Sequence, residues 1–340
     1  MVEVVDRGVR AKSNQTQQPN KQTTNKQTMT TIICCADCGK EGISLKMCKA
    51  CMVVKYCDAT CQRNHWATHK KHCKLRAAEL RDEALFRDPP PKEDCPICFL
   101  PIPGHLFSSA SLPPATISSV PIYDFENEHV EFAGRRPEEY YACCGKNICM
   151  GCIHSFCKSG NIRKCPFCNA ERNRNAPFEE YIEQVRKRVE ANDPGAICML
   201  AECYQFGRPG IARDEEKAME LYARAADLGS SFAHCHLGLY YNQRGDLKKE
   251  TYHYEAAAMA GHNSARSILG TMESESGNMG RAVKHWSIAA SAGDYGTMHT
   301  LIAFFKMGYV SRESIDSTLA AYNTSCVEMR SEARDAYIRF

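Results

Sequence analysis

Cysteines and a histidine spaced two or three residues apart recur through the first half of the chain, and their chemistry is that of metal ligands. Cys35-x2-Cys38, Cys48-x2-Cys51, Cys57-x3-Cys61 and His69-x3-Cys73 follow one another. Zinc prefers four thiolate or imidazole ligands in a tetrahedron. A two-residue gap lets a tight turn bring both sulfurs onto one ion. A three-residue gap suits a helix, where residues i and i+4 share a face, and Arg63 to Lys74 contains no Gly or Pro. Further on come Cys95-Pro96-Ile97-Cys98, a middle cluster of Cys143, Cys144, Cys149 and Cys152, and Cys165-Pro166-Phe167-Cys168. Seventeen of the 21 cysteines lie between Cys34 and Cys168. The other four (Cys198, Cys203, Cys235 and Cys326) are not paired at ligand spacing and read as small apolar residues on helices. Met1 to Thr31 has no apolar core of signal-peptide length. The chain is therefore expected to be intracellular, in cytoplasm or nucleus. Its thiols are then reduced and its cysteine pairs are metal ligands rather than disulfides.

The first group resembles a MYND-type zinc finger. The resemblance extends beyond ligands to Tyr56-Cys57, Cys61-Gln62, Trp66 and His69-Lys70 with Cys73 beyond. It implies interleaved binding, with Cys35, Cys38, Cys57 and Cys61 on one zinc and Cys48, Cys51, His69 and Cys73 on another. Cys34 is left as a spare, and His65 and His72 read as surface residues. With all four positions filled by protein, such sites are structural rather than catalytic. MYND fingers generally bind short proline-containing peptides, so the resemblance implies a protein partner. From Asp37 to Lys74 there are eight Lys or Arg against three acidic residues. Seven thiolates and two zinc ions cancel most of that excess. With a whole-chain net charge of only +3, nucleic acid is a poor candidate partner.

The second group resembles a RING-type finger, which also interleaves two sites in a cross-brace. One would use Cys95, Cys98, Cys149 and Cys152. The other would use Cys165 and Cys168 with two ligands from the middle cluster. The histidine that usually precedes the next pair by two residues is replaced by Lys146, a poor zinc ligand. Adjacent Cys143 and Cys144 offer two thiolates instead; the alternative borrows Cys157 or His154. The stretch between Cys98 and Cys143 is longer than usual, and with Pro101, Pro103, Pro113, Pro114 and Pro121 and several serines it reads as an exposed loop. Four structural zinc ions are thus expected. A RING ligase does no covalent chemistry itself and docks a ubiquitin-conjugating enzyme. Ile97, Phe156 and Pro166 occupy the positions of that docking surface, whereas Asn169 stands where active ligases often carry Arg.

The second half repeats. Ala225-Ala226-x2-Gly229, Ala257-Ala258-x2-Gly261 and Ala289-Ala290-x2-Gly293 recur at a fixed period, and Leu237-Gly238, Leu269-Gly270 and Leu301-Ile302 keep the same step. Each unit reads as two antiparallel helices, closed by a glycine that signals a helix C-terminus. The pattern resembles Sel-1-like repeats, relatives of tetratricopeptide repeats. A single unit cannot bury its own apolar face, so the units must stack into a solenoid. Before them, Phe178, Ile182, Val185 and Val189 form one apolar helix face, and Glu313 to Arg339 reads as a helical cap.

The expected fold is multidomain: two small zinc-stapled cross-brace fingers followed by an all-α solenoid of helix-hairpin repeats. Its parts are a disordered tail (1–33), poor in apolar residues, and the first finger (34–74). A linker helix with a Pro-rich turn (75–92) leads to the second finger (93–171). A connecting helix (176–191), the repeats (192–308) and a C-terminal cap (309–340) complete it. No run of 18 apolar residues occurs, which excludes a transmembrane helix and a membrane partner of that kind. No Gly-rich phosphate loop or open metal site appears. The expected function is a zinc-binding adaptor or scaffold for protein partners; the competing expectation is a RING-type ubiquitin ligase.

Overall fold

The computed structural model describes residues 34–42, 44–102, 138–171 and 178–338. The expected disordered tail and most of the long loop after Cys98 lie outside the described residues. The chain divides into two compact units, Met1–Ala78 and Glu79–Phe340. No helix among the described residues is long and apolar enough to cross a membrane.

In the first unit, strand β1 (Lys46–Met47) pairs antiparallel with β2 (Lys55–Tyr56), Lys46 opposite Tyr56. Helix α1 (Ala59–Leu85) follows. Asp58 starts it, its carboxylate accepting from the backbone N–H groups of Thr60 and Cys61 at 2.8 and 2.9 Å, as an N-cap does. The separate linker helix expected after Lys74 does not exist: one helix runs through, because no Gly or Pro interrupts the sequence until Pro89. Cys57 precedes α1, so only His69 and Cys73 use the i, i+4 spacing on a helix.

The second unit takes in the end of α1. Leu85 is buried with Cys235, Tyr254, Ala257, Ala258, Ala265 and Leu269. Arg266, itself buried, donates to the carbonyls of Leu85 and Ala258 at 2.7 and 2.9 Å. Arg81 pairs with Glu255, and Asp82 with Arg281. The second finger holds a hairpin of β3 (Glu138–Tyr141) and β4 (Lys146–Cys149), Glu138 opposite Cys149, followed by α2 (Met150–Lys158).

Helices α3 (Phe178–Glu190) and α4 (Pro194–Phe206) come next. The repeats continue as α5 (Glu215–Asp227), α6 (Ser231–Gln243), α7 (Leu247–Met259), α8 (Asn263–Glu275), α9 (Met279–Ser291) and α10 (Tyr295–Lys306). Helices α11 (Arg312–Glu328) and α12 (Glu332–Ile338) end the chain. The hairpins are α4/α5, α6/α7 and α8/α9, with α3 packed on α4.

The repeated residues have repeated jobs. Gly229, Gly261 and Gly293 all have φ near +90°. Each is followed by an N–H that reaches back to the first alanine of the Ala-Ala pair: Ser230 to Ala225, His262 to Ala257, Asp294 to Ala289, at 3.0 to 3.2 Å. That bond satisfies a carbonyl the helix end leaves free. The same Ser230, His262 and Asp294 then cap the next helix through their side chains. Gly238 and Gly270 lie against the rings of Tyr254 and Trp286, so the Leu-Gly motif is the close approach of the two helices of a hairpin.

The C-terminal stretch departs from expectation. It is two helices, not one. Helix α11 packs on α9 and α10 and closes the solenoid, but α12 packs on α2 of the second finger. That finger is also held at its other side: Tyr140 donates to the carboxylate of Asp193 at 2.8 Å, and Arg188 donates to the carbonyls of Ala142 and Cys143.

Candidate metal centres

Four tight turns carry half of the candidate ligands, and they share one construction. In Cys35–Gly39, Cys48–Met52, Cys95–Phe99 and Cys165–Asn169 the N–H of the fifth residue donates to the carbonyl of the first cysteine at 2.8 to 3.0 Å. The fifth residue is left-handed in each, with φ between 54° and 72°. Glycine and asparagine accept that backbone easily; Met52 and Phe99 do so at a cost of about 1 kcal/mol. The turn aims both sulfurs of a pair to one side.

The remaining ligands come from the hairpins and helices, and the geometry gathers four quartets. These are Cys35, Cys38, Cys57 and Cys61; Cys48, Cys51, His69 and Cys73; Cys95, Cys98, Cys149 and Cys152; and Cys143, Cys144, Cys165 and Cys168, each with its ligand atoms within 4.8 Å of one another. Lys146 is exposed at the start of β4, and neither Cys157 nor His154 joins a quartet. Sulfur separations are 3.5 Å for Cys38–Cys57, 3.7 Å for Cys48–Cys73, 3.8 Å for Cys98–Cys149, 3.9 Å for Cys144–Cys165 and 3.6 Å for Cys168–Cys143. A disulfide needs about 2.0 Å. Four sulfurs about 2.3 Å from one zinc lie about 3.8 Å apart in a tetrahedron, so the donor sets fit that ion.

Electrostatics point the same way. The backbone N–H of Cys38 draws the Cys35 thiol down to about 6. Cys57 is pushed up to about 11 by its hydrogen bond with Cys38 and by burial, and Cys144 to about 11 by burial and the charge of Cys165. Four thiols so close cannot all ionise together unless a cation compensates them, and a divalent ion does so.

His69 is positioned from three sides. Its Nε2 is 3.3 Å from the Cys51 sulfur. The His65 ring stacks on it at 5.6 Å, and Tyr56 and Trp66 meet it edge-on. The sequence reading of His65 as a surface residue needs correcting: its Nδ1 bonds the hydroxyl of buried Tyr56 at 3.0 Å. Both residues flank ligand positions at helical or strand spacing, a signal that ligand-only patterns overlook. His72 is exposed.

Among the possible docking residues, Ile97 packs against the core of the second finger, while Phe156 and Pro166 are half-buried. Phe99 and Phe167, beside them in sequence, are exposed.

The pattern of the MYND finger family matches residues 35–73, and that of the Sel1 repeat matches residues 194–230 and 269–294. Similar solved structures include a Sel1 repeat protein from Oxalobacter formigenes, with 24% identity over 47% of this chain and 65% of that one and a TM-score of 0.38. Another is c5321, a protective antigen of uropathogenic Escherichia coli strains displaying an SLR fold (20% identity, 54% and 43% covered, TM-score 0.37). A third is the immunity protein Pa5087 from Pseudomonas aeruginosa (22%, 50% and 62%, 0.34). The chain spans less than two thirds of the length of each of these proteins. For residues 93–171 the RING resemblance rests on the cysteine cluster alone. Residues 35–73 are therefore a zinc-binding MYND finger, and residues 194–230 and 269–294 are Sel1 repeats within the helical half of the chain.

Proposed function

We propose that this chain is an intracellular scaffold in which four structural zinc ions hold two fingers rigid and the MYND finger recruits a proline-containing peptide. The observation that carries the reading is that large apolar side chains are left exposed on the first finger, Met52 and Val53 at its second cysteine turn and Trp66 on α1. Met52 is 57% exposed, Val53 63% and Trp66 40%. Met52 takes a strained left-handed backbone. Rigid, desolvatable apolar and aromatic anchors of this kind dominate interface energies. All four donor sets are complete within the protein, so none leaves an ion open for catalysis.

The test uses tryptophan emission. The chain has two tryptophans, and Trp286 is 2% exposed, so an added peptide reaches Trp66. Titration with an array of proline-containing peptides should shift the emission for a subset, and Trp66→Phe should erase the shift. If no peptide of a broad array shifts it, the reading fails.

A second reading, the ubiquitin ligase, is favoured by the exposed Phe99 and Phe167 at the tips of two zinc turns beside Ile97 and Pro166. A ligase contributes binding and orientation of the charged conjugating enzyme. Self-ubiquitination with a panel of conjugating enzymes tests it. Ile97→Ala and Phe99→Gly should each abolish activity while zinc content stays unchanged; inactivity with every enzyme of the panel would remove this reading and leave the scaffold.

A further inference from the structure

Arg334 sits near the end of the chain, on α12, and it is 6% exposed. Three of its four bonds go to the second finger. Nη1 donates to the carbonyls of Pro101 and Met329, both at 2.7 Å, and Nη2 to the carbonyl of Leu100 at 3.1 Å. Nη2 also points at the sulfur of Cys98, 3.6 Å away. Leu100 and Pro101 are the returning limb of the turn that carries Cys95 and Cys98. On the other side, Gly151 lies between Cys149 and Cys152. A Cβ placed on Gly151 would come within 2.7 Å of the Arg334 backbone. All four ligands of one quartet are thus bracketed by α12: two through the arginine fork, two through the glycine that admits its backbone.

We infer that the zinc site of Cys95, Cys98, Cys149 and Cys152 includes Arg334 as a positioning residue, so that zinc loading and docking of α12 on the finger are coupled. The inference rests on the four-zinc reading above. Its physical basis is charge. Four thiolates around a divalent ion leave two negative charges in a site where Cys95 and Cys149 are buried. A guanidinium donating to one sulfur offsets part of that charge, and charge-assisted bonds of this type are the strong ones. Partners of metal ligands outside the coordination sphere typically govern metal affinity by about 10–100-fold. Linkage makes the coupling reciprocal: whatever Arg334 adds to zinc affinity, zinc adds to the docking of α12.

Arg188 supplies the control. It too clamps the second finger, but onto the carbonyls of Ala142 and Cys143, with no bond to a sulfur. The full-length protein would be titrated with a chromogenic zinc chelator while hydrogen exchange follows residues 332–338. In Arg334→Gln one zinc of the four should leave about 10–100-fold more readily, and Arg334→Lys should recover part of the loss. Gly151→Ala, which keeps every ligand and favours helix α2, should match Arg334→Gln. Arg188→Gln should leave the affinity of the Cys95, Cys98, Cys149 and Cys152 site unchanged, since its bonds go to Ala142 and to Cys143 of the other quartet. In the unaltered chain, residues 332–338 should lose protection in step with departure of that one zinc. Four zinc ions with unchanged release in Arg334→Gln, or a helix that stays protected after the ion has gone, would overturn the coupling and leave the four-zinc reading intact. A chain that holds only the two ions of residues 35–73 would overturn both.

Discussion

Cys143 and Cys144 are neighbours in sequence and yet both reach one quartet, because β3 ends at Tyr141 and the turn at Gly145, with φ of +69°, reverses the chain around them. If both are zinc ligands, Cys143→Ser and Cys144→Ser should each lower zinc content by one ion, counted by native mass spectrometry. Lys146→Ala and Cys157→Ser should lower it by none. A second residue-scale prediction concerns His285. It is fully buried on α9 with neither ring nitrogen bonded, and Phe86 covers it at 4.7 Å. Burial holds its pKa down to about 3, helped by Arg266 of α8 and Arg281 of α9 and opposed by Asp82 of α1. The unfolded chain therefore binds a proton near pH 6.5 that the folded chain refuses. Stability from this residue is complete above that pH and declines as pH falls from 6.5 toward 3, by about 1.4 kcal/mol per pH unit. His285→Leu should flatten that decline, seen in melting of the helical signal between pH 7 and 5. It should also be neutral or stabilising at pH 7, since it removes two buried unbonded polar atoms.

Helix pairing in the solenoid depends on where glycine is replaceable. Gly238→Ala would drive a methyl to 2.6 Å from the Tyr254 ring. The intrinsic gain for Ala in a helix is about 1 kcal/mol, and overpacking costs about 1–3 kcal/mol. Gly238→Ala should therefore lower stability in denaturant titration. Gly280→Ala, where nothing lies within 4 Å, should raise it. Such positions explain what was legible in the sequence. The turns and the Ala-Ala-x2-Gly motif act over a few residues, so the residue types that satisfy them recur at fixed spacing and can be read. Gly238 and Gly270 were visible as members of a repeat, though the rings they admit were not. The fusion of the linker into α1 was missed because the first finger and the linker carry different patterns on a helix that nothing interrupts. Arg334 left no trace at all. In Ser331-Glu332-Ala333-Arg334-Asp335 it reads as one more solvated helix charge, since its partners on the finger lie more than 230 residues away.

For the whole molecule the question is which parts depend on metal. The first unit has a small core made chiefly of its own ligands, with Tyr56 among Cys35, Cys48, Cys51 and Cys73. Apparent binding energies of structural zinc are about 10–16 kcal/mol, as large as the whole stability of a small domain. That unit has little else to hold it together. The solenoid is different. Its clusters run from Tyr140 and Ile182 to Leu237, and from Ala282 to Ile315, with no quartet cysteine among them. Chelation at neutral pH should therefore remove protection from amides of residues 35–73 and from those of the second finger, while α4 to α10 stay protected and keep most of the far-UV helical signal. Acid should act similarly, because each thiolate must be protonated as its zinc leaves. If chelation collapsed α4 to α10 along with the fingers, the second finger would be a load on which the solenoid depends. The bonds that join the finger to the first helices, from Tyr140 to Asp193 and from Arg188 of α3 to Ala142 and Cys143, would then hold the repeats together. Survival of the solenoid would instead make those bonds a one-way attachment, with the repeats as the rigid frame on which a zinc-dependent finger is mounted.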